Sequence, residues 1–449
     1  MNPSLSIAAR LEAGKALRKT VPRAAHADWV AATQERDPLE LLSRRNQGRI
    51  ADLVPLRYGR LLRNPFTFLR GSPGLMAHDL ASTPTSGLRV QACGDCHLTN
   101  FGLFATPERN LVFDLNDFDE TLPGPWEWDI KRLTTSFVVA ARTSGISDQR
   151  ARDTATRCAR TYRQQLWEFA EMSPLEVWYY RIDVNELAEL APDTASRGRR
   201  EKFAARARER TGENLYPKIT EEHAGRQRFV DDPPLVQRLD EDSWRAPVEA
   251  GIEAYRASLP DDRRFVFDRY RLEDFALRVV GIGSVATRCY VALFYCDDRN
   301  PLLLQIKEAR RSVLEPFAER SQYENEGQRV VVGQRLLQSA SDIFLGWLRS
   351  ADGHDYYVRQ LRDMKFTPPV EDFSASQLGH YAEACGWALA RAHARTGDAA
   401  MISGYLGRGE RFDEVLGAFA CGYADQIERD HAALTAAEQS GLISAVTGV

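Results

Sequence analysis

Apolar and polar positions recur at helical spacing towards both ends of the chain. Residues 148–190 carry apolar side chains three and four positions apart, which places those side chains on one face of an α-helix. Helix is also predicted from Trp128 to Ala141, and residues 66–81 predict a short helix that glycines interrupt. After residue 374 the same spacing returns at Leu378, Tyr381, Cys385, Leu389 and Ala392.

The middle of the chain predicts β-strands instead. Its apolar runs are short, are rich in Val, Leu, Ile and Tyr, and are bounded by turn residues. A helical stretch, Ser321–Gln338, separates the third run from the fourth, and two further strands are predicted at Leu88–Cys93 and 111–118. We therefore predict an α+β protein, in which the main strands are Phe275–Val280, Cys289–Cys296, Leu302–Ile306 and Tyr356–Leu361.

The composition and the predicted secondary structure change at three places along the chain. These changes divide the chain into four parts. Residues 1–190 and 368–449 are mainly helical, and residues 263–367 hold most of the predicted strands. Residues 191–262 are charge-rich, are poor in apolar side chains and carry the adjacent pair Pro233-Pro234. We interpret that part as a charged helical insertion or linker.

The net charge of the chain narrows the classes of binding partner that we expect. The 449 residues include 59 basic and 63 acidic ones, a net charge of −4, whereas proteins that neutralise nucleic-acid phosphates usually run strongly basic. We therefore expect no nucleic-acid partner. The exception is local: residues 197–210 hold seven basic side chains against two acidic ones, which indicates either a solvated helix face or a site for an anionic partner.

The sequence also predicts where the protein resides. It has no run of about 18 apolar residues that could span a membrane, and its first residues lack the apolar segment of a secretory signal. Its seven cysteines are scattered and odd in number, which favours free thiols over a disulfide framework. We expect a cytoplasmic protein without a membrane partner.

The first segment that could carry chemistry follows a predicted strand. In Gly94-Asp95-Cys96-His97-Leu98-Thr99-Asn100 a carboxylate and a carboxamide lie five residues apart. Phosphoryl transfer uses such a pair in one loop, where Asp95 would orient or deprotonate an acceptor hydroxyl and Asn100 would supply an oxygen to a metal ion. The alternative is a polar loop in which Asp95 only forms a turn.

The second segment holds four carboxylates within seven residues, from Asp114 to Glu120. Such carboxylates repel one another unless a cation or a basic side chain lies among them. A site for a hard metal ion is therefore one interpretation, and an exposed acidic turn is the other. Asp129 follows and opens a predicted helix, where its carboxylate could accept hydrogen bonds from free backbone N–H groups.

The third segment is a glycine-rich turn between two predicted strands, with Gly281, Gly283 and Ser284. Glycines let backbone amides approach a phosphate closely, although many such turns are only hairpins. The next strand ends in Lys307, whose charge needs a partner if it is buried. Glu326 in the following helical stretch could be that partner, and Glu324 is its rival.

Together these residues resemble the catalytic and metal loops of aminoglycoside-phosphotransferase-type kinases. The matching residues are Gly94-Asp95-x-His97-x-x-Asn100, Asp117-Phe118, Gly124 and Asp129-Ile130. The chain also resembles a bacterial family catalogued as domain of unknown function 2252, which is grouped with protein-kinase-like folds. That resemblance spans most of the chain through RNPFTFLRG, CGDCHLTNFG, FDLNDFDETLPGPWEWDIKRL, VVGIGSVATRCYV, LLLQIKEA and YYVRQLRDMK.

The resemblance implies a protein-kinase-like, two-lobed α+β fold with a circularly permuted order. A kinase places its glycine turn, lysine and helix glutamate before the catalytic loop, whereas here they follow it. The small lobe would be residues 263–367, and the mostly helical large lobe would combine 1–190 with 368–449. Two positions depart from the pattern: Ala286 replaces a third glycine, and Cys93 stands where these kinases usually have histidine.

The implied function is ATP- and Mg²⁺-dependent phosphoryl or nucleotidyl transfer to a hydroxyl acceptor. Asn100 and Asp117 would hold the metal, Asp95 would position the acceptor, and Lys307, oriented by Glu326, would hold the α/β phosphates. The cofactor would further contact Gly281, Gly283, Ser284 and the backbone of Leu361, beside the adenine.

Two alternatives stay open. The protein could be a non-catalytic nucleotide-binding module of the pseudokinase type, although all the residues that catalysis needs are retained. It could instead be a metal-dependent phosphoesterase, whose two-metal site would need further His and Asn ligands. The feature that distinguishes the transferase is a cleft shared by Lys307 and Asp117.

Overall fold

The protein is a mixed α+β structure. The computed structural model describes residues 5–27, 29, 36–189, 193–297 and 300–447. No helix within these ranges combines the length and apolarity that a membrane crossing requires. All seven cysteines carry free thiols, as the sequence predicts.

The helices and strands follow one another in this order along the chain. Before residue 190 they are α1 (Ile7–Ala16), α2 (Pro38–Asn46), α3 (Val54–Leu62), α4 (Pro65–Gly71), α5 (Pro73–Leu80), β1 (Arg89–Ala92), β2 (Phe101–Ala105), β3 (Leu111–Leu115), β4 (Leu122–Pro125), α6 (Trp126–Thr143), α7 (Asp148–Glu171), α8 (Pro174–Tyr179), β5 (Ile182–Asp183) and α9 (Val184–Glu189). Between 193 and 297 they are α10 (Thr194–Arg208), α11 (Gly212–Ile219), β6 (Thr220–His223), β7 (Arg226–Phe229), β8 (Val236–Arg238), α12 (Glu241–Ser258), α13 (Asp261–Phe267), β9 (Arg271–Arg278) and β10 (Cys289–Tyr295). From residue 300 they are β11 (Pro301–Ala309), α14 (Glu326–Leu337), β12 (Gly346–Arg349), β13 (Asp355–Gln360), α15 (Ala375–Thr396), α16 (Ala399–Leu406) and α17 (Arg411–Gln439).

Helices from the two ends of the chain form one core. Helix α15 packs along α7, α1 lies against α16, and α17 packs on both α6 and α7. The predicted apolar face of α15 is buried in this core together with the inner faces of α6 and α7. A buried ion pair, Arg163 Nη2 to Asp413 Oδ2 at 2.8 Å, ties α7 to α17. The predicted large-lobe segments 1–190 and 368–449 therefore share a hydrophobic interior.

The four predicted strands of the middle segment form one antiparallel sheet together with β8 and β12, which were not predicted, in the order β12-β13-β11-β10-β9-β8. The glycine turn joins β9 to β10, and β11 carries Lys307 directly opposite Cys289 on one side and Tyr357 on the other. Helix α14 lies in sequence between β11 and the last two strands and packs on both of them. Separate apolar clusters cover the two faces of this sheet.

The segment after residue 193 is only partly a helical insertion. Helices α10, α11 and α12 agree with the prediction, but the hairpin β6–β7 and the edge strand β8 do not. Trp244 and Tyr255 of α12 are buried in the same cluster as Phe275 of β9. This segment therefore contributes its apolar residues to the sheet rather than linking two units through solvent.

Two small sheets bring the candidate loops together. Strand β1 pairs with β4, and β2 pairs with β3. The loop 93–100 leads from β1 to β2, and the loop 116–121 leads from β3 back to β4. Because each loop joins the same two sheets, the predicted catalytic segment and the predicted metal segment lie side by side.

Candidate functional site

The loop 93–100 is held by a buried carboxylate of helix α6. Asp129 accepts hydrogen bonds from the backbone N–H of Cys93 at 2.6 Å and of Gly94 at 3.0 Å. Its Oδ2 also lies 3.2 Å from Nε2 of His393, whose Nδ1 lies 2.7 Å from the Tyr162 hydroxyl. The sequence predicts that Asp129 accepts hydrogen bonds from its own helix, but in the structure it connects the loop 93–100 to α15.

Gly94 allows this loop to turn. Its φ is +83°, a conformation that side chains with a Cβ disfavour. A Cβ at this position would lie 2.3 Å from the carbonyl oxygen of Glu120. The loop 93–100 and the acidic loop therefore touch backbone to backbone, and only glycine fits between them.

Asp95 is oriented by an arginine that the sequence pattern did not single out. Arg132 Nε donates to Asp95 Oδ1 at 2.7 Å, and its Nη2 donates to the same oxygen. Burial raises the pKa of Asp95 to about 6 despite the opposing charge of Arg132. Asp95 is thus a carboxylate fixed in direction and more basic than usual, which suits a residue that accepts a proton.

Asn100 and Asp117 each have one side-chain oxygen that accepts no hydrogen bond among the described residues, whereas Asp117 Oδ1 accepts the backbone N–H of Asp119 at 3.3 Å. Asn100 Nδ2 donates to the backbone carbonyl of Asp95 at 2.7 Å, so its Oδ1 is the atom left to bind a ligand. Burial opposes the ionisation of Asp117, but the charges of Lys307, Arg359 and Lys365 hold its pKa below the ordinary value. Two hard oxygen donors, one of them charged, are what Mg²⁺ binds in proteins.

Lys307 binds to the acidic loop rather than to helix α14. Its Nζ lies 2.7 Å from Asp119 Oδ2, and the hydroxyl of Tyr357 donates to Asp119 Oδ1 at 2.6 Å. Burial acts against the charge of Lys307, yet Asp119, Tyr357 and Asp117 raise its pKa well above the ordinary value. Lys307 is therefore a charged ammonium in the interior beside the predicted metal ligand.

The predicted pair between Lys307 and Glu326 is wrong. Within the described residues Glu326 instead binds Arg329, one helical turn further on, with 2.6 Å between Oε2 and Nε. Its rival Glu324 is exposed, and its backbone carbonyl accepts a hydrogen bond from Arg349. Arg329 takes the carboxylate because it lies at i+3 on the same helix, whereas Lys307 finds Asp119 across the interface.

The glycine turn covers the acidic loop. Gly281 has a φ of +67°, and Ala286, at the position of the missing third glycine, adopts +66°. Arg49 Nη1 fixes the turn by donating to the carbonyls of Gly283 and Val285 at 3.0 and 2.5 Å. Ser284 Oγ lies 3.5 Å from Asp119 Oδ2, which brings the turn into contact with the carboxylate that binds Lys307.

One cavity of about 140 Å³ brings most of the predicted residues together. Its walls include the following predicted residues: Asp95, Asn100, Asp117, Gly281, Gly283 and Ser284. Lys307 lies behind this wall through its contact with Asp119, which also lines the cavity. The acidic loops and the glycine turn, far apart in sequence, therefore face each other across one cleft.

Leu361 lines a different cavity of about 250 Å³. Its backbone N–H donates to the carbonyl of Leu303 at 2.9 Å, so the amide that was expected to face adenine is already bound. The walls of this second cavity also include Gln305, Arg359 and Lys365. Burial and the charge of Arg359 lower the pKa of Lys365 to about 7.

A cysteine pair beside the loop has the spacing of a metal site. Ligand atoms of Cys93, Cys96 and Asp129 lie within 4.8 Å of one another. Both oxygens of Asp129 already accept backbone hydrogen bonds, and burial raises the pKa of Cys96 well above its ordinary value. This cluster therefore belongs to the anchoring of the loop.

Sequence reasoning missed Arg132, the pairing of Asp119 with Lys307, and most of the arginines around the first cavity: Arg45, Arg49, Arg57 and Arg310. Arg132 follows Asp129 by three residues and shares its helix face, a signal that could have linked it to the same loop. Asp119 was among the acidic residues singled out, but spacing alone does not tell which carboxylate meets Lys307.

No curated protein and no solved structure matches the chain. A family match extends from residue 49 to residue 437 and so includes both loops, the glycine turn and helix α15. The chain belongs to the family described as an uncharacterized protein conserved in bacteria (DUF2252).

Proposed function

We propose that the protein is a kinase-like transferase that uses ATP and Mg²⁺ to phosphorylate or nucleotidylate a hydroxyl acceptor. The observation that carries the proposal is the first cavity, where Asp95, Asn100 and Asp117 face the glycine turn. Phosphoryl transfer asks little covalent chemistry of the protein and depends on positioning and on charge neutralisation. The cavity supplies groups for both.

Each residue has one task in this proposal. Asp95, fixed by Arg132, accepts the hydroxyl proton of the acceptor. Asn100 Oδ1 and the Asp117 carboxylate hold the magnesium ion, which, when bound, neutralises charge on the phosphate oxygens. The amides of the glycine turn and the ammonium of Lys307 hold the phosphates.

The arrangement of the sheet supports a kinase-like, circularly permuted fold. A glycine turn joins the first two strands of the middle segment, the lysine lies on the next strand, and a helix follows before two further strands. Kinases place their phosphate-binding lysine on the third strand in the same way. Because helices of both chain ends share one core, the permuted order is compatible with one mostly helical lobe.

The test is the binding of Mg·ATP to Asp117→Ala, measured by calorimetry. We expect the metal-dependent part of ATP binding to be lost, since the variant removes the charged oxygen donor. Asp148→Asn is the control, because Asp148 is exposed on α7 and far in sequence from the cavity walls. Mg·ATP binding that is equal in Asp117→Ala and in wild type would contradict the proposal.

Of the two reactions in this proposal, the second cavity favours nucleotidyl transfer over phosphoryl transfer. Arg359 and Lys365 line the space beside Leu361, and cationic side chains bind phosphate better than they bind a neutral adenine ring. A nucleotide whose phosphates enter this cavity would present its α-phosphorus to the acceptor. ATP labelled at the α- or the γ-phosphate separates the two reactions, because only one of the labels reaches the acceptor.

A pseudokinase-type module and a phosphoesterase would each behave differently from a transferase. The pseudokinase-type module would bind Mg·ATP without turnover. A two-metal phosphoesterase needs several histidine or asparagine ligands, whereas His97 is the one histidine among the described residues that line the first cavity. Burial lowers the pKa of His97 well below its ordinary value, and its ring binds Thr99 at 3.0 Å.

A further inference from the structure

One wall of the first cavity is built from arginines that neither the catalytic nor the metal roles use. They come from α2, from the turn after it, from α3, from α4 and from the end of β11. These residues are Arg45, Arg49, Arg57, Arg70 and Arg310.

Among the described carboxylates that line the same cavity, Glu120 alone forms an ion pair with this wall, through Arg45. Asp95 binds Arg132, Asp119 binds Lys307, and Glu308 lies 3.4 Å from Arg288. Glu120 lies 3.6 Å from Arg45 and also accepts the backbone N–H of Val313 at 2.6 Å. Asp117, the proposed metal ligand, is the one carboxylate among the described residues of the cavity that has no ion pair within 4 Å.

The other four arginines bind neutral groups or nothing. Arg49 and Arg310 donate to backbone carbonyls. Arg57 is 2% exposed; it donates to the side chain of Asn46 and to the carbonyl of Gly71, and its buried Nε has no partner among the described residues. The Arg70 side chain makes no hydrogen bond or ion pair within the described part of the chain; its guanidinium lies 5.7 Å from the centroid of the Phe66 ring, and its buried Nε has no hydrogen-bond partner there.

The wall therefore carries positive charge that the protein itself leaves unbalanced. Burial, together with the charges of neighbouring arginines, lowers the pKa of Arg57 to about 10 and that of Arg310 below its ordinary value. Burying unpaired cations costs free energy unless an anion compensates them. Guanidinium groups match phosphate and carboxylate in two-pronged geometry.

Arg70 lies on the acceptor side of the cavity. Arg132, which binds Asp95, also donates from Nη2 to the backbone carbonyl of Leu69, the residue before Arg70, at 2.9 Å, and Arg70 and Asp95 line the same cavity. In the proposed function Asp95 meets the acceptor hydroxyl, whereas the phosphates of ATP lie at the glycine turn and Lys307. An anion held by Arg70 would therefore belong to the acceptor.

We propose that the acceptor carries a phosphate or carboxylate group besides its hydroxyl, and that Arg70, with Arg57 and Arg310 behind it, binds that anionic group. The substrate class rests on the proposed function, but the anion site itself does not. The same charge repels amine-bearing acceptors such as amino sugars. Arg70 is then a specificity-determining binding residue.

Arg70→Gln removes the charge but keeps a polar side chain; it also loses the contact of the guanidinium with the Phe66 ring, and the Tm of the variant without anion measures that loss. Arg44→Gln is its control, since Arg44 is exposed on α2 and pairs with Glu40 on the same helix. The first measurement is the shift of Tm with inorganic phosphate, in the full-length protein without nucleotide, with acetate as the carboxylate probe. An anion that binds the native state raises Tm.

We expect phosphate, acetate or both to raise the Tm of wild type and of Arg44→Gln, and to raise that of Arg70→Gln by less than half as much. The anion that is effective identifies the group. A response that is absent in wild type, or equal in Arg70→Gln, overturns the proposal. If Lys307→Met loses the rise in Tm and Arg70→Gln keeps it, phosphate binds where the nucleotide is proposed to bind. That result also overturns the proposal.

The second measurement is ATP consumption with glycerol, glycerol 3-phosphate, glycerate and glucosamine as acceptors. We expect turnover above background only with the anionic acceptors. In Arg70→Gln the KM for the acceptor should rise about 10- to 100-fold, which is the usual effect of losing a hydrogen bond to a charged group. The KM for ATP should not change. Turnover that is best with glycerol or glucosamine overturns the proposal. Failure of the proposed function looks different: Mg·ATP is then neither bound nor consumed, while the Tm response still depends on Arg70.

Discussion

The ammonium of Lys307 lies 2.7 Å from a carboxylate oxygen of Asp119. Lys307 belongs to the six-stranded sheet, and Asp119 belongs to the loop that follows β3 in the helical part of the chain. The Lys307 side chain is 4% exposed and that of Asp119 is 30% exposed. The pair thus joins the two parts of the protein at the edge of the cavity.

Removing the anion of this pair should destabilise the protein. Asp119→Asn leaves the buried ammonium of Lys307 without its counter-charge, and we expect a loss of about 1–3 kcal/mol in the free energy of unfolding, less than for a fully buried pair because Asp119 is partly exposed. Urea denaturation measures it, with Asp148→Asn as the control. In a double-mutant cycle with Lys307→Met the two effects should not add; simple additivity would show that the pair contributes nothing.

The basicity of Asp95 predicts the pH dependence of turnover. The pKa of Asp95 is raised to about 6, and the carboxyl must be ionised to accept a proton, so kcat/KM for the acceptor should fall as the pH drops through about 6. Arg132→Gln removes the charge that favours the carboxylate, and the acid limb should move to higher pH.

Arg142→Gln is the matched control for this experiment, because Arg142 lies on the same helix α6 but binds Asp148, Asp425 and Glu428 away from the cavity. Its acid limb should coincide with that of wild type. If kcat/KM for the acceptor falls only near pH 4, or if Arg132→Gln does not shift the acid limb of this pH profile, Asp95 is not the proton acceptor.

Alanine substitutions at Gly94 and Gly87 test the contact between the loop 93–100 and the acidic loop. Both have a positive φ, +83° and +81°, but a Cβ at Gly87 meets nothing within 4 Å whereas one at Gly94 meets the Glu120 carbonyl at 2.3 Å. Gly87→Ala should cost about 1–2 kcal/mol through the backbone conformation alone. Gly94→Ala should cost clearly more and should also reduce Mg·ATP binding; equal losses in thermal or urea unfolding would exclude the steric contact.

Lys365 predicts how stability changes at alkaline pH. Its pKa is lowered in the folded protein to about 7, while an unfolded lysine titrates near 10.4. Between about pH 7 and pH 10.4 Lys365 is protonated in the unfolded chain but not in the folded one, so its contribution makes the free energy of unfolding rise with pH. Below about pH 7 the folded protein carries the full free-energy cost of burying the charged Lys365. Lys365→Met should therefore be more stable than wild type at pH 7, and the difference should shrink towards pH 10. A difference that does not change with pH would rule out a shifted lysine.

The elements and the candidate loops were largely predictable, because they depend on local pattern. The apolar spacing of residues 378–392 describes α15, and the short apolar runs of residues 275–306 describe β9, β10 and β11. The glycines near 71 and 74 interrupt the helix where predicted, between α4 and α5. The short strands β2 and β12 were missed because five and four residues carry too little periodicity.

The partners of the site residues were not predictable, because they come from distant segments. Lys307 had two acidic candidates nearby in sequence, yet its partner lies 188 residues away. The arginine wall draws on five places between residues 45 and 310, and no spacing rule links them. The amide of Leu361 is taken by Leu303 because this hydrogen bond continues the pairing of β11 with β13 by one residue beyond Leu304 and Gln360, and the sequence does not tell which strand pairs with β13.

The contacts of helix α15 affect how the protein folds during its synthesis. Its Arg391 Nη2 lies 2.7 Å from Asp114 Oδ1 in a buried ion pair, and His393 contacts Asp129. A ribosome therefore releases Asp114 and Asp129 long before their partners on α15. The ion pair of Asp114 and the contact of Asp129 with His393 can form only after almost nine-tenths of the chain has been synthesised, and a protein truncated before residue 391 should occupy chaperones rather than reach the native state.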